Sequence, residues 1–209
     1  MVPCSACGKT PRTPLLCESC GALLAPLAPP TPFEALGVEP VFALDLAALQ
    51  QRLVSLSRAL HPDFFAAASA ETRRRAEDNT AALNAAFQVL ADDSRRADWL
   101  VQALGGPREN EERSMPGRFL QEVLEWNEAI DEAQGAPAES AARAVLDTLE
   151  PRLRQEREVA MQAVAERLTP LPERGAAALR EVRQRLNAVR YLDRALREIG
   201  ELRLAAARP

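Results

Sequence analysis

Apolar residues recur every three or four positions through most of this chain, the spacing of helices that bury one side. One stripe runs through Leu46, Leu49, Leu53, Leu56 and Leu60, and a second through Ala76, Thr80, Leu83, Phe87 and Leu90. Between them Pro62 disfavours helix in His61, so the two stripes should fold back as an antiparallel pair sharing one seam, with His61 and Asp63 at its tip. A short apolar helix follows around Trp99 and Leu100, then Gly105-Gly106-Pro107 breaks the pattern and polar residues run to Pro116. Beyond that break lie three helical stretches, roughly 116–133, 138–168 and 173–205, separated by Gly135-Ala136-Pro137 and Pro170-Leu171-Pro172. Such short connections predict an antiparallel three-helix bundle.

The bundle helices carry more apolar surface than one seam needs. On the first, Phe119, Val123, Trp126 and Ile130 form one stripe and Leu120 with Leu124 a second, beside Glu125 and Glu128. On the last, Val182, Leu186, Val189, Leu192, Leu196 and Ile199 form the seam while Tyr191 projects away from it. Leu120, Leu124 and Tyr191 are therefore candidates for a partner-facing patch, the alternative being a wide core face that takes both stripes. Pro151 falls inside the middle stretch, where it removes one backbone hydrogen bond and crowds the carbonyl of Asp147. A bend within one element is expected there.

A chain of 209 residues suits one or two domains, and its many Ala, Leu, Arg and Glu residues favour an all-α protein with a small appendage. A net charge of −4 argues against broad nucleic-acid binding, which needs a concentrated basic face. The one tight basic run, Arg73-Arg74-Arg75, is flanked by Glu71, Glu77 and Asp78 and reads either as a solvated helix face or as a contact to an acidic partner. No uncharged apolar run has the length of a membrane span, and the N-terminus has no signal-peptide core, so a cytoplasmic protein without membrane contact is expected. His61 is the only histidine, which removes any His-paired metal site. With Asp63 alone beside it there is no nucleophile and no catalytic constellation, so the chain does not read as an enzyme.

All four cysteines lie within the first twenty residues, as Cys4-x-x-Cys7 and Cys17-x-x-Cys20, with Gly8 and Gly21 after each pair. Two thiolates separated by two residues grip one ion from a knuckle turn, and the following glycine relieves the tight backbone. Four thiolates make a closed tetrahedral zinc site of structural type. Disulfide or redox chemistry and an iron-sulfur cluster are the rival uses of the same four residues. Residues 1–22 are too few to bury a core, so metal binding should supply most of their folding free energy. Residues 23–32, with Pro26, Pro29, Pro30 and Pro32, read as a stiff linker.

Phe33-x-x-Leu36-Gly37, the His61-Pro62-Asp63 triplet and Asn84-Ala85-Ala86-Phe87-x-x-Leu90 together resemble a J-domain, over residues 33–106. In that family the triplet stimulates ATP hydrolysis by a DnaK-type chaperone, and the resemblance carries a chaperone-facing role onto His61, Pro62 and Asp63, with Arg52 and Arg58 of the preceding helix. Phe119-Leu120-x-x-Val123-Leu124-Glu125-x-Asn127-Glu128 and Arg190-Tyr191-Leu192 then narrow the resemblance to the HscB-type co-chaperones of iron-sulfur cluster biogenesis, across essentially residues 31–205. What that family implies is a J-domain engaging an HscA- or DnaK-type ATPase, and a C-terminal bundle, here 114–205, binding the iron-sulfur cluster scaffold protein. By position its scaffold-binding patch falls on Leu120, Leu124 and Tyr191 with acidic Glu125 and Glu128. Gln121 departs from the pattern, standing where an apolar residue is frequent. Phe64 replaces the common basic residue after the triplet, as in the mitochondrial members, which also carry two N-terminal CxxC motifs. The other functions open to such a chain are a general J-protein with unrelated clients and a metal-sensing adaptor.

Overall fold

A computed structural model describes residues 2–115, 117, 119–137 and 140–206, the side chains of Pro62 and Ala206 excepted. All regular elements among them are helical, as expected: a J-type hairpin is followed by a three-helix bundle, with a small cysteine segment at the N-terminus. The chain divides into two compact units, Met1–Arg96 and Ala97–Pro209.

In the first unit α1 (Pro32–Leu36) starts at a capping box, in which Thr31 accepts from the Glu34 N–H and the Glu34 carboxylate accepts from the Thr31 N–H. Asp45 caps α2 (Leu46–Leu60) by accepting from the N–H groups of Ala47 and Ala48. α2 ends at His61, whose ψ of 127° is the extended backbone that a following proline imposes. A 3-10 turn, Pro62–Phe65, leads towards α3 (Ala70–Ala91), which is capped by Ser69. α2 packs on α3, and Leu49, Leu56 and Leu60 are buried with Ala76, Leu83 and Leu90. Leu46 is exposed and Leu53 and Phe87 are half-buried, so the seam is narrower than the full stripes predict. Phe33 and Leu36 of α1 complete this core. The Thr80 hydroxyl, donating to the Ala76 carbonyl at 2.8 Å, also lies 3.3 Å from the Leu60 carbonyl at the end of α2 beside the tip.

α4 (Asp93–Ala103) crosses the division between the units. Arg96 is buried in the first unit, donating to the carbonyls of Phe42 and Leu90 with its guanidinium 5.0 Å from the centre of the Phe42 ring. The second unit is built on α5 (Phe119–Gln134), α6 (Ala141–Leu168) and α7 (Ala178–Ala206), each in contact with the other two. Val123, Trp126, Ile130 and Ala133 of α5 meet Leu146, Leu149 and Leu153 of α6 and Leu192, Ala195 and Ile199 of α7. The two longer helices bury Met161, Val164 and Leu168, and Leu179, Val182, Leu186 and Val189, outside that cluster.

α7 starts at Ala178 rather than near 173, because Gly175 turns to a φ of 76° and gives its N–H to Leu104. α6 begins at Ala141 with Ser140 as cap; positions 138 and 139, where periodicity starts it, lie outside the described residues, as do 116 and 118 ahead of α5. The helix runs as one element through Pro151, which is exposed, so the Asp147 carbonyl it leaves unpaired lies on the solvent side. A polar stripe on α7 holds the segment ahead of α5: Arg183 bonds Asp98 and the Pro107 carbonyl, Arg180 the Glu112 carboxylate, and Asn187 the carbonyls of Glu112 and Ser114. Gly106 is required in this closure, since a β-carbon there would lie 2.7 Å from Val101 and 2.8 Å from Leu179.

Truncating Leu153, fully buried in the three-way core, to alanine is expected to cost about 2–5 kcal/mol by urea denaturation. Val145→Ala, at an exposed position of the same helix, should change stability by no more than about 0.5 kcal/mol.

Candidate functional site

The two cysteine knuckles are built alike. In each, the first cysteine's carbonyl accepts from the glycine four residues on (Gly8 to Cys4, Gly21 to Cys17), and its N–H donates one residue further on, to Lys9 and Ala22 respectively. Both glycines have a φ of 73°, the left-handed backbone that closes the knuckle. The turns bring all four sulfurs within 4.8 Å of one another, with Cys4 to Cys20 at 3.8 Å and Cys7 to Cys17 at 3.6 Å. A tetrahedral ion with metal–sulfur bonds of about 2.3 Å sets its ligands about 3.8 Å apart, so the spacing fits a single metal ion. It is far longer than a disulfide bond of about 2.05 Å.

Charge is shared unequally among the thiols. Burial pushes the Cys17 thiol up, but backbone N–H groups of Ser19 and Cys20 and the neighbouring thiols outweigh it and hold Cys17 at about 7. The Ala22 N–H pulls Cys20 down, while the Cys7 and Cys17 thiols, burial and Cys4 prevail and push it up to about 12.

The cysteine segment does not stand apart from the helical hairpin. Leu15 and Leu16 between the knuckles are buried, and an isolated antiparallel bridge joins Leu16 to Leu23. Asn79, buried on α3, donates to the carbonyls of Leu15 at 2.7 Å and Leu24 at 2.9 Å. The buried Thr13 hydroxyl donates to the Ala35 carbonyl at 2.7 Å. Gly37 lets the two segments touch: a β-carbon there would lie 2.6 Å from the Arg12 carbonyl. Arg52, expected to face a chaperone, is drawn into this junction instead. Its side chain is only 14% exposed, its Nε donates to the Leu36 carbonyl, and both terminal nitrogens pair with Glu18. That guanidinium holds the Glu18 carboxyl below the usual range.

At the tip of the hairpin, His61 and Asp63 are exposed, as is Arg58, while the Pro62 side chain lies outside the described residues. His61 Nδ1 accepts from the Asp63 N–H at 3.3 Å and lies 3.4 Å from its carboxylate. Ser69 caps the next helix. In the basic run, Arg75 pairs with Glu71 and Arg73 donates to the Ala66 carbonyl.

In the bundle the two stripes of α5 part company. Val123, Trp126 and Ile130 are buried, whereas Leu120 is 59% and Leu124 69% exposed, and Tyr191 on α7 is 43% exposed. Phe119 bridges inside and outside, its ring edge-on to Trp126 at 5.3 Å and to Tyr191 at 6.3 Å. Gln121, Glu125 and Glu128 are exposed on the same helix. Glu122, Arg152 and Glu156 line a polar recess with Gln121 and Glu125.

If the four sulfurs hold a metal, removing it with a chelator, or substituting Cys17→Ser, is expected to lower the melting temperature of the first unit, because the knuckles position Leu15 and Leu16 against it. An unchanged melt would show the junction to be independent of the ion. Asn79→Ala, which takes its donor from the Leu24 carbonyl and leaves the Leu15 carbonyl the Leu24 N–H alone, should cost about 1–3 kcal/mol in the same assay.

Residues 115–200 match the family model for the HSCB C-terminal oligomerisation domain. The chain is 36% identical over 125 residues to a co-chaperone protein HscB homolog of Bordetella pertussis, covering 59% of this chain and 74% of that one. It is 37% identical over 114 residues to the Vibrio vulnificus homolog, covering 54% and 67%. Its fold is that of the human co-chaperone protein HscB crystal structure, with a TM-score of 0.75 at 23% identity over 97% of this chain and 99% of that one. The chaperone HscB from Vibrio cholerae gives a TM-score of 0.68 at 21% identity over 84% and 99%. With a J-type hairpin and a C-terminal bundle in the family's order, the chain belongs to the HscB family of co-chaperones.

Proposed function

We propose that the chain stimulates ATP hydrolysis by a DnaK- or HscA-type chaperone through the His61-Pro62-Asp63 turn, and delivers to that chaperone an iron-sulfur cluster scaffold protein bound to its C-terminal bundle. Residues 33–106 act as the J-domain and 114–205 as the client module. Residues 1–22 hold one structural zinc on Cys4, Cys7, Cys17 and Cys20, a closed set that leaves no coordination position for chemistry, and 23–32 connect them to the hairpin. The chain makes and breaks no bonds itself, since hydrolysis takes place in the chaperone. The setting is the cytoplasm; no described helix is long and apolar enough to cross a membrane.

The observation that carries this reading is the exposure of Leu120, Leu124 and Tyr191 in a bundle whose core is filled by other residues. Apolar side chains left in water on two adjoining helices gain free energy when a partner covers them. Glu125 and Glu128 at the rim steer a scaffold of complementary charge and set the salt dependence of association. Gln121 offers this patch a polar edge. At the tip, His61 and Asp63 are exposed, so a chaperone can meet them without unfolding the hairpin. Arg58 is placed to join that contact, whereas Arg52 reaches it only by leaving Glu18.

His61→Gln should leave the melt within about 0.5 kcal/mol of wild type and remove stimulation of the chaperone's steady-state ATPase; undiminished stimulation would refute the tip assignment. Leu124→Ala and Tyr191→Ala should each melt near wild type and bind the scaffold protein about tenfold more weakly by calorimetric titration, about 1.4 kcal/mol. Unfolding of the bundle with normal binding by the remaining folded protein would place these residues in the core.

A further inference from the structure

The turn after His61 is apolar where it meets water. Phe64 is 75% exposed, and Ala66 and Ala67 after it are exposed as well. Scattered surface hydrophobes are ordinary, but this one sits on a backbone held at successive points. Its N–H donates to the His61 carbonyl at 3.0 Å, the Ala66 N–H to Asp63 at 3.3 Å and the Ala68 N–H to Phe65 at 2.9 Å. Arg73, in the first turn of α3, donates to the Ala66 carbonyl at 3.2 Å and closes the loop. The ring is thereby presented at a set position from His61 and Asp63, and ordering the loop on binding costs little.

We propose that Phe64 is an anchor of the same interface, inserting into an apolar recess on the DnaK-type ATPase, and that it sets how tightly this chain selects its chaperone while His61 and Asp63 set the stimulation. The inference rests on the tip assignment above. Continuity names the occupant: Phe64 shares one 3-10 turn with Asp63, so a surface that contacts His61 and Asp63 passes over the ring next to them. A buried aromatic of this size commonly dominates an interface's affinity.

The test is the steady-state ATPase of the purified DnaK-type chaperone from the chain's own source, titrated with wild type, Phe64→Ala, Phe64→Leu and His61→Gln. Phe64→Ala should raise the half-saturating concentration about tenfold, with maximal stimulation within about twofold and an unchanged thermal midpoint. Phe64→Leu, which keeps an apolar side chain, should stay within about threefold of wild type. Wild-type behaviour of Phe64→Ala while His61→Gln is inactive would overturn the anchor and leave the tip assignment standing. Phe64→Leu as weak as Phe64→Ala would also overturn it, since the recess would not then be reading apolarity. Full stimulation by His61→Gln would remove the tip assignment and the anchor with it. If Phe64→Ala instead abolished self-association seen by sedimentation and left chaperone affinity intact, the ring would belong to a contact between copies of this chain and the proposal would fail.

Discussion

Each bundle helix has one apolar stripe to bury, and the packing of Val123, Trp126 and Ile130 against Leu146, Leu153, Leu192 and Ile199 meets that need without Leu120 or Leu124. This division of α5 into a face that folds and a face that does not is what the second unit's surface depends on. Phe119 marks its edge, touching Trp126 inside and Tyr191 outside. α7 is held in place from its polar side, where Arg180, Arg183 and Asn187 bond the segment ahead of α5. Tyr191 therefore has a set position beside Phe119 although it contributes nothing to the seam.

The first unit meets a related constraint with different means. The cysteine segment has too few residues for a core of its own, so its two leucines, Leu15 and Leu16, are buried within the larger unit, and its knuckles bring four sulfurs together. Asn79 and Thr13 satisfy the carbonyls that this docking buries, and Arg52 with Glu18 covers its rim. Segment and hairpin are thus mechanically continuous, while His61 at the hairpin's tip remains exposed.

Much of this was legible in the chain. The all-helical architecture, the hairpin, the bundle and the gathering of four cysteines follow from periodicities and spacings that act over a few residues. The helical step marked Leu120 and Leu124 as a second stripe, and only their exposure decides between a surface patch and a wide core face. What escaped depends on residues far apart in sequence: nothing local pairs Glu18 with Arg52 or brings Gly37 to Arg12, and so Arg52 read as a surface contact. Two local signals were there to be used. Thr31-Pro32-Phe33-Glu34 is a capping box with proline at the first helical position, and announces α1. Asn79 interrupts the apolar stripe between Ala76 and Leu83, and a polar residue on a buried face must find a buried partner. The later start of α7 was hidden because Gly175 ends a pattern that apolar spacing alone carries through.

The central claim is that two exposed surfaces, one on each unit, serve two different partners. Hydrogen exchange on the whole chain, alone and then with the iron-sulfur scaffold protein or the DnaK-type chaperone, tests it directly. The account predicts that the scaffold protects the first half of α5 and the part of α7 around Tyr191, that the chaperone protects the segment from Arg58 to Ala67, and that neither pattern changes when both are present. Protection by both partners on the same unit, or scaffold protection away from Leu120, Leu124 and Tyr191, would contradict it.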